Sequence, residues 1–140
     1  MYNVGIIGCG AIFNRHVLSI KENKNFKLVS ICDIDKNLVE DLSKNLNVKA
    51  YTDYKEMAKD KDVNFIVIAS PNYYHYEQSI FCLKNKCDVL IEKPVSFKSI
   101  DIDDISRTAK EYNQKAFCVL QVRLNNSVAI VKETLSKNRG

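Results

Sequence analysis

Val4-Gly-Ile-Ile-Gly-Cys-Gly10 is an apolar run that ends in two glycines, and it decides how this chain folds. A second hydrophobic run, residues 26–32, ends at Asp33, and a stretch with helical periodicity separates the two runs. A strand that ends in a glycine turn, then a helix, then a strand that ends in an acid is an arrangement that holds a dinucleotide. The sequence therefore predicts that this chain binds NAD.

The two glycines have distinct physical tasks. Gly8 lets the chain turn sharply out of the strand, and Gly10, which lacks a Cβ atom, lets the backbone approach a pyrophosphate closely. Unpaired amides at the start of the next helix then face the phosphates. Phe13 occupies the third glycine position of the usual motif, so the glycines alone are a weak signal.

Asp33 strengthens the prediction and indicates which cofactor is preferred. A carboxylate at the tip of the second strand accepts hydrogen bonds from both ribose hydroxyls of NAD and repels the extra phosphate of NADP. The alternative is that this acid serves a turn or caps a helix, a task for which Asp35 is better placed. We therefore expect NAD rather than NADP.

Length and composition limit the remaining classes of protein. The 140 residues, of which 46% are hydrophobic, suffice for one core. The net charge of +4 is spread along the chain, and no apolar run could span a bilayer, so we expect neither nucleic acid nor membrane as a partner. No signal peptide precedes the first strand, which predicts a cytoplasmic protein. The five cysteines lack C-x-x-C spacing and are expected to be reduced, buried thiols, with no metal site.

Along the chain the hydrophobic period switches repeatedly between strand and helix. Strands are expected at residues 2–7, 26–32, 48–51, 65–69, 88–92 and 116–122. After the first helix at 12–23, a second is expected to follow a cap by Asp35 and to run through Leu38, Val39, Leu42 and Leu46. Further helices are expected from a capping-box-like pair, Asp53 and Glu56, and at 75–86, 100–113 and 127–137. In the first helix the inward-facing residues are expected to be Ile12, Val17, Leu18 and Ile20. This alternation predicts an α/β fold of Rossmann type, a doubly wound, mostly parallel six-stranded sheet with helices on both faces.

Two loops at predicted carboxyl ends of strands carry the remaining chemistry, because ligands bind at that edge of an open α/β sheet. The loops are Ser70-Pro71-Asn72-Tyr73-Tyr74-His75 and Glu92-Lys93-Pro94. Pro94 disfavours helical geometry at the preceding residue, so we expect Lys93 to be held extended at the sheet edge. A lysine held there is a candidate proton acceptor or donor, and the alternative is a solvated loop lysine.

Together these features resemble the Gfo/Idh/MocA oxidoreductases, NAD(P)-dependent dehydrogenases that act mainly on sugars, cyclitols and their derivatives. The resemblance rests on Gly8-Cys9-Gly10, Cys32-Asp33, Ser70-Pro71-Asn72 with His75, and above all Glu92-Lys93-Pro94, and it covers about residues 2 to 125. Within the family, residues 12–16 and 119–124 are most similar to UDP-sugar 3-dehydrogenases that oxidise UDP-N-acetylglucosaminuronate for bacterial surface-polysaccharide synthesis.

The resemblance implies roles for the matching positions. The implied cofactor-binding residues are Gly8, Gly10, Ala11, Ile12, Asp33, Ser70, Pro71, Asn72, His75, Glu92 and Gln121. Lys93 is implied to be the catalytic residue, reaching the substrate hydroxyl, and Arg123 is implied to contact the substrate. Arg15 is a further candidate for a substrate or phosphate contact, with a solvated helix charge as the alternative.

The resemblance also implies a longer protein. Residues 1–122 would be the dinucleotide-binding domain, and residues 123–140 the start of a connection to a C-terminal substrate and oligomerisation domain. We expect a part, inactive alone, of a homo-oligomeric dehydrogenase that transfers hydride from a sugar or UDP-sugar alcohol to NAD. The alternatives are a natural short protein that binds or senses dinucleotides without turnover, and a Rossmann domain for another ligand such as CoA, against which Asp33 argues.

Overall fold

Strands and helices alternate along the part of the chain that the structure describes, residues 1–120 and Thr134. In the computed structural model the strands are β1 (Tyr2–Ile7), β2 (Phe26–Cys32), β3 (Lys49–Tyr51), β4 (Phe65–Ile68), β5 (Asp88–Ile91) and β6 (Ala116–Cys118). The helices are α1 (Phe13–Glu22), α2 (Lys36–Leu46), α3 (Tyr54–Lys59), α4 (His75–Lys84) and α5 (Ser99–Glu111), and a short 3-10 helix (Asn72–Tyr74) precedes α4. Within the described residues, no helix has the length and apolar character needed to cross a membrane.

The strands form a single parallel sheet in the order β3-β2-β1-β4-β5-β6. The chain winds outward from β1 in one direction and then, from β4, in the other. The point where the order reverses lies between β1 and β4, and a crevice opens there at the carboxyl ends of the strands. The predicted doubly wound sheet is confirmed.

Helices cover both faces of the sheet, and the central strand β4 is buried throughout. Phe65 and Val67 belong to a core cluster shared with α1 and α2, whereas Ile66 and Ile68 belong to a second cluster shared with α3, α4 and α5. Successive side chains of a strand point to opposite faces, so a continuous apolar run serves both cores.

One local expectation was wrong. Leu18 is 59% exposed, whereas Phe13 is 2% exposed and takes the inward position, because the buried stripe of α1 runs through Phe13, Val17 and Ile20. Asp53 caps α3 as expected, and its side chain accepts from the amide of Lys55 at 2.8 Å. The predicted cap of α2 by Asp35 is confirmed by its 3.1 Å bond to the Leu38 amide.

The cysteines divide into two groups. Four are buried, as expected, but Cys118 is exposed, because β6 is the edge strand of the sheet.

Several other expectations lie outside the described residues. They are the roles of Gln121 and Arg123, the end of the last predicted strand, and the helix at 127–137 apart from Thr134, which is helical.

A buried hydroxyl on β2 leads to a stability prediction. Ser30 is fully buried, and its Oγ atom has no hydrogen-bond partner among the described residues. In the unfolded chain the Ser30 hydroxyl bonds to water, and folding breaks that bond without replacing it. Ser30→Ala removes this cost, so we expect it to raise the free energy of unfolding by about 1 kcal/mol. Urea denaturation measures this change.

Ser43→Ala is the matched control, since the equally small Ser43 is buried but donates to the Glu40 carbonyl at 2.8 Å. This control should not gain stability. A Ser30→Ala variant that is less stable than the wild type would contradict the prediction.

Candidate functional site

The carboxyl ends of the central strands are tied together by backbone hydrogen bonds. Gly8 donates to the Cys32 carbonyl at 2.8 Å, and Ala69 donates to the Ile7 carbonyl at 2.8 Å. On the other side of β4, Glu92 donates to the Ile68 carbonyl at 3.0 Å. The glycine turn, the loop after β4 and the loop after β5 therefore leave the sheet at the same edge.

The glycine turn is shaped differently at its two glycines. Gly8 has φ +95°, and a Cβ atom there would lie 2.6 Å from the Ala69 carbonyl oxygen and 2.7 Å from the Ser70 nitrogen. At Gly10 an added Cβ atom would meet nothing within 4 Å. The first glycine is thus required by the protein's own backbone, whereas the second borders open space, as expected for a backbone that a ligand approaches.

The start of α1 borders this open space. Ile12 occupies the N-cap position and makes no side-chain cap bond, and the first turn of α1 contains no acidic residue. Gly10 and Ala11 are exposed. Amides at such a helix start suit a phosphate group.

Asp33 is held in place by the turn that it faces. Its Oδ2 atom accepts from the Cys9 amide at 2.8 Å, and its Oδ1 atom accepts from the Asp35 amide at 3.0 Å. The side chain is thereby oriented before any ligand arrives, and each carboxylate oxygen retains a lone pair for a ribose hydroxyl.

A cleft of about 410 Å³ opens beside Asp33. It is lined by Ile7, Gly8, Cys32, Asp33, Ile34, Thr52, Asp53, Tyr54, Ser70, Pro71, Tyr73, Tyr74, Glu77 and Gln78. Four of these were predicted cofactor-binding residues: Gly8, Asp33, Ser70 and Pro71. The cleft is therefore the point where the glycine turn, the end of β2 and the loop after β4 meet.

One wall of this cleft was not predicted from the sequence. Asp53 and Tyr54 follow β3, and Glu77 comes from α4; Tyr54 donates to Glu77 at 3.0 Å. A position just after a strand was the available signal for Asp53, whereas nothing local marks Glu77. Three carboxylates line the cleft, and none of its described lining residues is lysine or arginine.

Two buried thiols lie at the glycine turn: Cys9 belongs to the turn, and Cys32 ends β2. Burial, and secondarily the charge of Asp33, raises the pKa of Cys9 to about 12. Burial, together with Cys9 and Asp33, raises the pKa of Cys32 to about 12. Both are neutral thiols at physiological pH and therefore poor nucleophiles.

The loop after β4 is attached to α4. Ser70 donates from Oγ to Gln78 Oε1 at 2.6 Å, and Asn72 begins the 3-10 helix that follows Pro71. A cofactor contact was predicted for His75, but its ring is buried at 1% exposure and both ring nitrogens lie 2.9 Å from backbone carbonyl oxygens. Its direct contacts are therefore with the protein.

The loop after β5 presents Lys93 to solvent. Glu92, with 14% of its side chain exposed, contacts His16 Nε2 of α1 at 2.9 Å, a pairing the sequence did not reveal. The Lys93–Pro94 bond is cis, and the Lys93 amide donates to Glu92 Oε2 at 3.2 Å.

The candidate substrate contact Arg15 is exposed on α1. No cluster of three or more His, Cys, Asp or Glu residues suited to a metal occurs within the described residues.

Comparison with known proteins identifies a family and several relatives. Residues 2–120 match the family model of the Gfo/Idh/MocA oxidoreductases, which describes an oxidoreductase family with an NAD-binding Rossmann fold. Myo-inositol 2-dehydrogenase of Thermotoga maritima is 29% identical over 133 residues, which cover 94% of this chain and 40% of the relative. Glucose-6-phosphate 3-dehydrogenase of Bacillus subtilis is 28% identical over 138 residues, which cover 99% of this chain and 39% of the relative.

Among solved structures, the WlbA (WbpB) dehydrogenase of Thermus thermophilus, in complex with NAD and UDP-GlcNAcA, aligns with a TM-score of 0.87 and 27% identity. The alignment covers 100% of this chain and 48% of that one. The chain thus spans about 40% of the length of the curated relatives named above.

Proposed function

The chain belongs to the Gfo/Idh/MocA oxidoreductase family as an NAD-binding Rossmann domain, and from this premise we propose that it serves a dehydrogenase that oxidises a secondary alcohol of a sugar or UDP-sugar. The observation that carries the proposal is the position of Lys93. It follows Glu92 at the carboxyl end of β5, on the same sheet edge as the glycine turn and Asp33. A proton-transferring side chain and a dinucleotide cleft at one edge are the parts that alcohol oxidation requires.

The described residues fit NAD at this edge. The open space beside Gly10 supports a pyrophosphate there, with Ala11 and Ile12 at the start of α1, and the fixed carboxylate of Asp33 supports a contact with a ribose. Ser70 and Pro71 support the proposal as cleft residues, and Asn72 and Glu92 as neighbours on the same edge. NAD held by these residues would supply the hydride acceptor for the oxidation.

Lys93 would hold and move the hydroxyl proton at its Nζ atom. Its exposure leaves the Nζ atom accessible to a substrate, and the Glu92 side chain, engaged by His16, keeps the start of the loop attached to α1. A neutral amine at that atom would accept the hydroxyl proton as the hydride departs, which would lower the barrier of the oxidation. Arg15 and Arg123 are proposed as substrate contacts, and Gln121 as a nicotinamide contact, on the family resemblance.

The substrate class is proposed from the relatives. Two curated relatives are named as dehydrogenases of myo-inositol and of glucose 6-phosphate, and the Thermus thermophilus structure holds UDP-GlcNAcA. All three are polyhydroxylated rings. A secondary hydroxyl of a cyclitol, sugar or UDP-sugar is therefore the proposed reacting group.

We further propose that residues 1–122 form the cofactor domain and that residues 123–140 lead into a substrate domain of a homo-oligomeric protein. The relatives' greater length supports this division. We also propose a cytoplasmic location, which the four buried free thiols support, and neither nucleic acid nor membrane as a partner.

A titration with both cofactors tests the site. We expect NADH to bind more tightly than NADPH, because Asp33 and Asp53 repel a 2′-phosphate and none of the described cleft-lining residues is lysine or arginine. The charge of Glu77 is partly offset by Lys55, whose Nζ atom lies 3.9 Å from Glu77 Oε1. Asp33→Asn should shift the ratio of the two dissociation constants toward NADPH by about tenfold. Fluorescence of the reduced nicotinamide measures both constants.

Asp35→Asn is the matched control, since it removes the same charge two residues further on, where the side chain caps α2 and asparagine caps equally well. Its cofactor ratio should equal that of the wild type. Equal affinity of the wild type for NADH and NADPH would count against the assigned role of Asp33.

A further inference from the structure

One buried ring lies between the two loops of the site. His75, at the start of α4, has its Nδ1 atom 2.9 Å from the Pro94 carbonyl oxygen and its Nε2 atom 2.9 Å from the Ser70 carbonyl oxygen. The residue is 1% exposed. Its own carbonyl accepts from Ser79 Oγ at 2.6 Å, a bond within α4 that involves neither loop.

We propose that His75 is a positioning residue that joins the loop after β4 to the loop after β5, because each ring nitrogen contacts a backbone carbonyl oxygen of one loop. The rigid ring therefore sets the distance between the two loops.

This arrangement connects the two halves of the site. Ser70 lines the cleft, and Pro94 directly follows Lys93. Moving either carbonyl away from the ring would move a cleft wall relative to the lysine. The consequence for catalysis rests on the proposed function, because it assumes that Lys93 and a dinucleotide act together; the two hydrogen bonds themselves do not.

Two conservative variants separate the two bonds. In His75→Asn the side-chain amide can replace the Nδ1 contact, and in His75→Gln it can replace the Nε2 contact. We expect His75→Asn to speed amide hydrogen exchange about fivefold in residues 69–74 and not in residues 92–97, and His75→Gln to do the reverse. Exchange is measured on the 140-residue chain without cofactor, by mass spectrometry of its peptides.

Cofactor binding gives a second readout. The affinity for NADH should fall in His75→Asn, which loosens the cleft wall, and should stay near the wild-type value in His75→Gln. The wild-type chain gives a third readout that needs no variant: NMR should show a slowly exchanging N–H proton on the His75 ring. Rapid exchange of every ring N–H proton would overturn the proposal.

Ser79→Ala is the control for a general loss of stability at the start of α4, since it removes a buried hydrogen bond without touching either loop. It should lower the melting temperature and leave exchange in both loops unchanged. If the two His75 variants loosened both loops equally, or neither loop, His75 would have no positioning role. None of these results requires turnover, so a full-length protein that oxidises no sugar would refute the proposed function and leave this inference standing.

Discussion

Lys93→Met is expected to lower kcat for alcohol oxidation by about 10²–10⁴-fold, the usual loss when a general acid–base group is removed. Methionine preserves the length and apolar stem of lysine but cannot accept a proton. The affinity for NADH should stay near the wild-type value, because Lys93 does not line the cleft beside Asp33. Steady-state kinetics should use the protein with its downstream residues and a panel of myo-inositol, glucose 6-phosphate and UDP-GlcNAcA.

The matched control is Lys98→Met. Lys98 is another exposed lysine of the segment after β5, and its backbone is engaged: the amide donates to Ser96 Oγ at 3.1 Å, and the carbonyl accepts from the Asp101 amide at 3.2 Å. This control should retain full turnover. If Lys93→Met turned over as fast as the wild type, Lys93 would not be catalytic. If the wild type bound NADH but oxidised none of the panel, a dinucleotide-binding or sensing module would become the better interpretation.

Gly8→Ala and Gly10→Ala should differ sharply, although each adds one methyl group to the same turn. Gly8→Ala should cost about 2–5 kcal/mol of folding free energy, because its φ of +95° disfavours alanine and the new Cβ atom would lie 2.6 Å from the Ala69 carbonyl oxygen. A drop in the melting temperature of about 10 °C is the expected result. Circular dichroism during heating measures it.

Gly10→Ala should leave the melting temperature close to that of the wild type, since its Cβ atom enters open space. The same methyl group should weaken NADH binding about tenfold or more, because it fills the volume proposed for the pyrophosphate. Fluorescence titration measures that loss. A Gly10→Ala variant that binds NADH normally would show that the phosphates lie elsewhere.

Much of the fold could be predicted because its signals are local. The apolar runs of β1, β2 and β4 and the cap at Asp35 each depend on a few neighbouring residues, and each is found where expected. Leu18 shows the limit of this reasoning. Phe13 and Leu18 lie five residues apart and therefore point about 140° apart around α1, so the choice between them for the buried stripe depended on where the sheet lies.

The candidate site divides in the same way. Gly8 and Asp33 could be recognised because each directly follows a strand, and the carboxyl ends of parallel strands meet at one edge. Glu77 could not, because it lies within α4 and reaches the cleft only through the packing of that helix beside α3. The contact of His16 with Glu92 likewise joins residues far apart in the chain.

The sequence by itself determined the doubly wound sheet, the glycine turn and the acid that faces it, because hydrophobic period and backbone freedom are properties of short segments. Only the tertiary structure decided that the cleft is acidic, that Glu92 is paired with His16, and that His75 lies buried between two loops. Those features depend on distances between residues remote in the chain, and such distances are set by the packing of helices on the sheet.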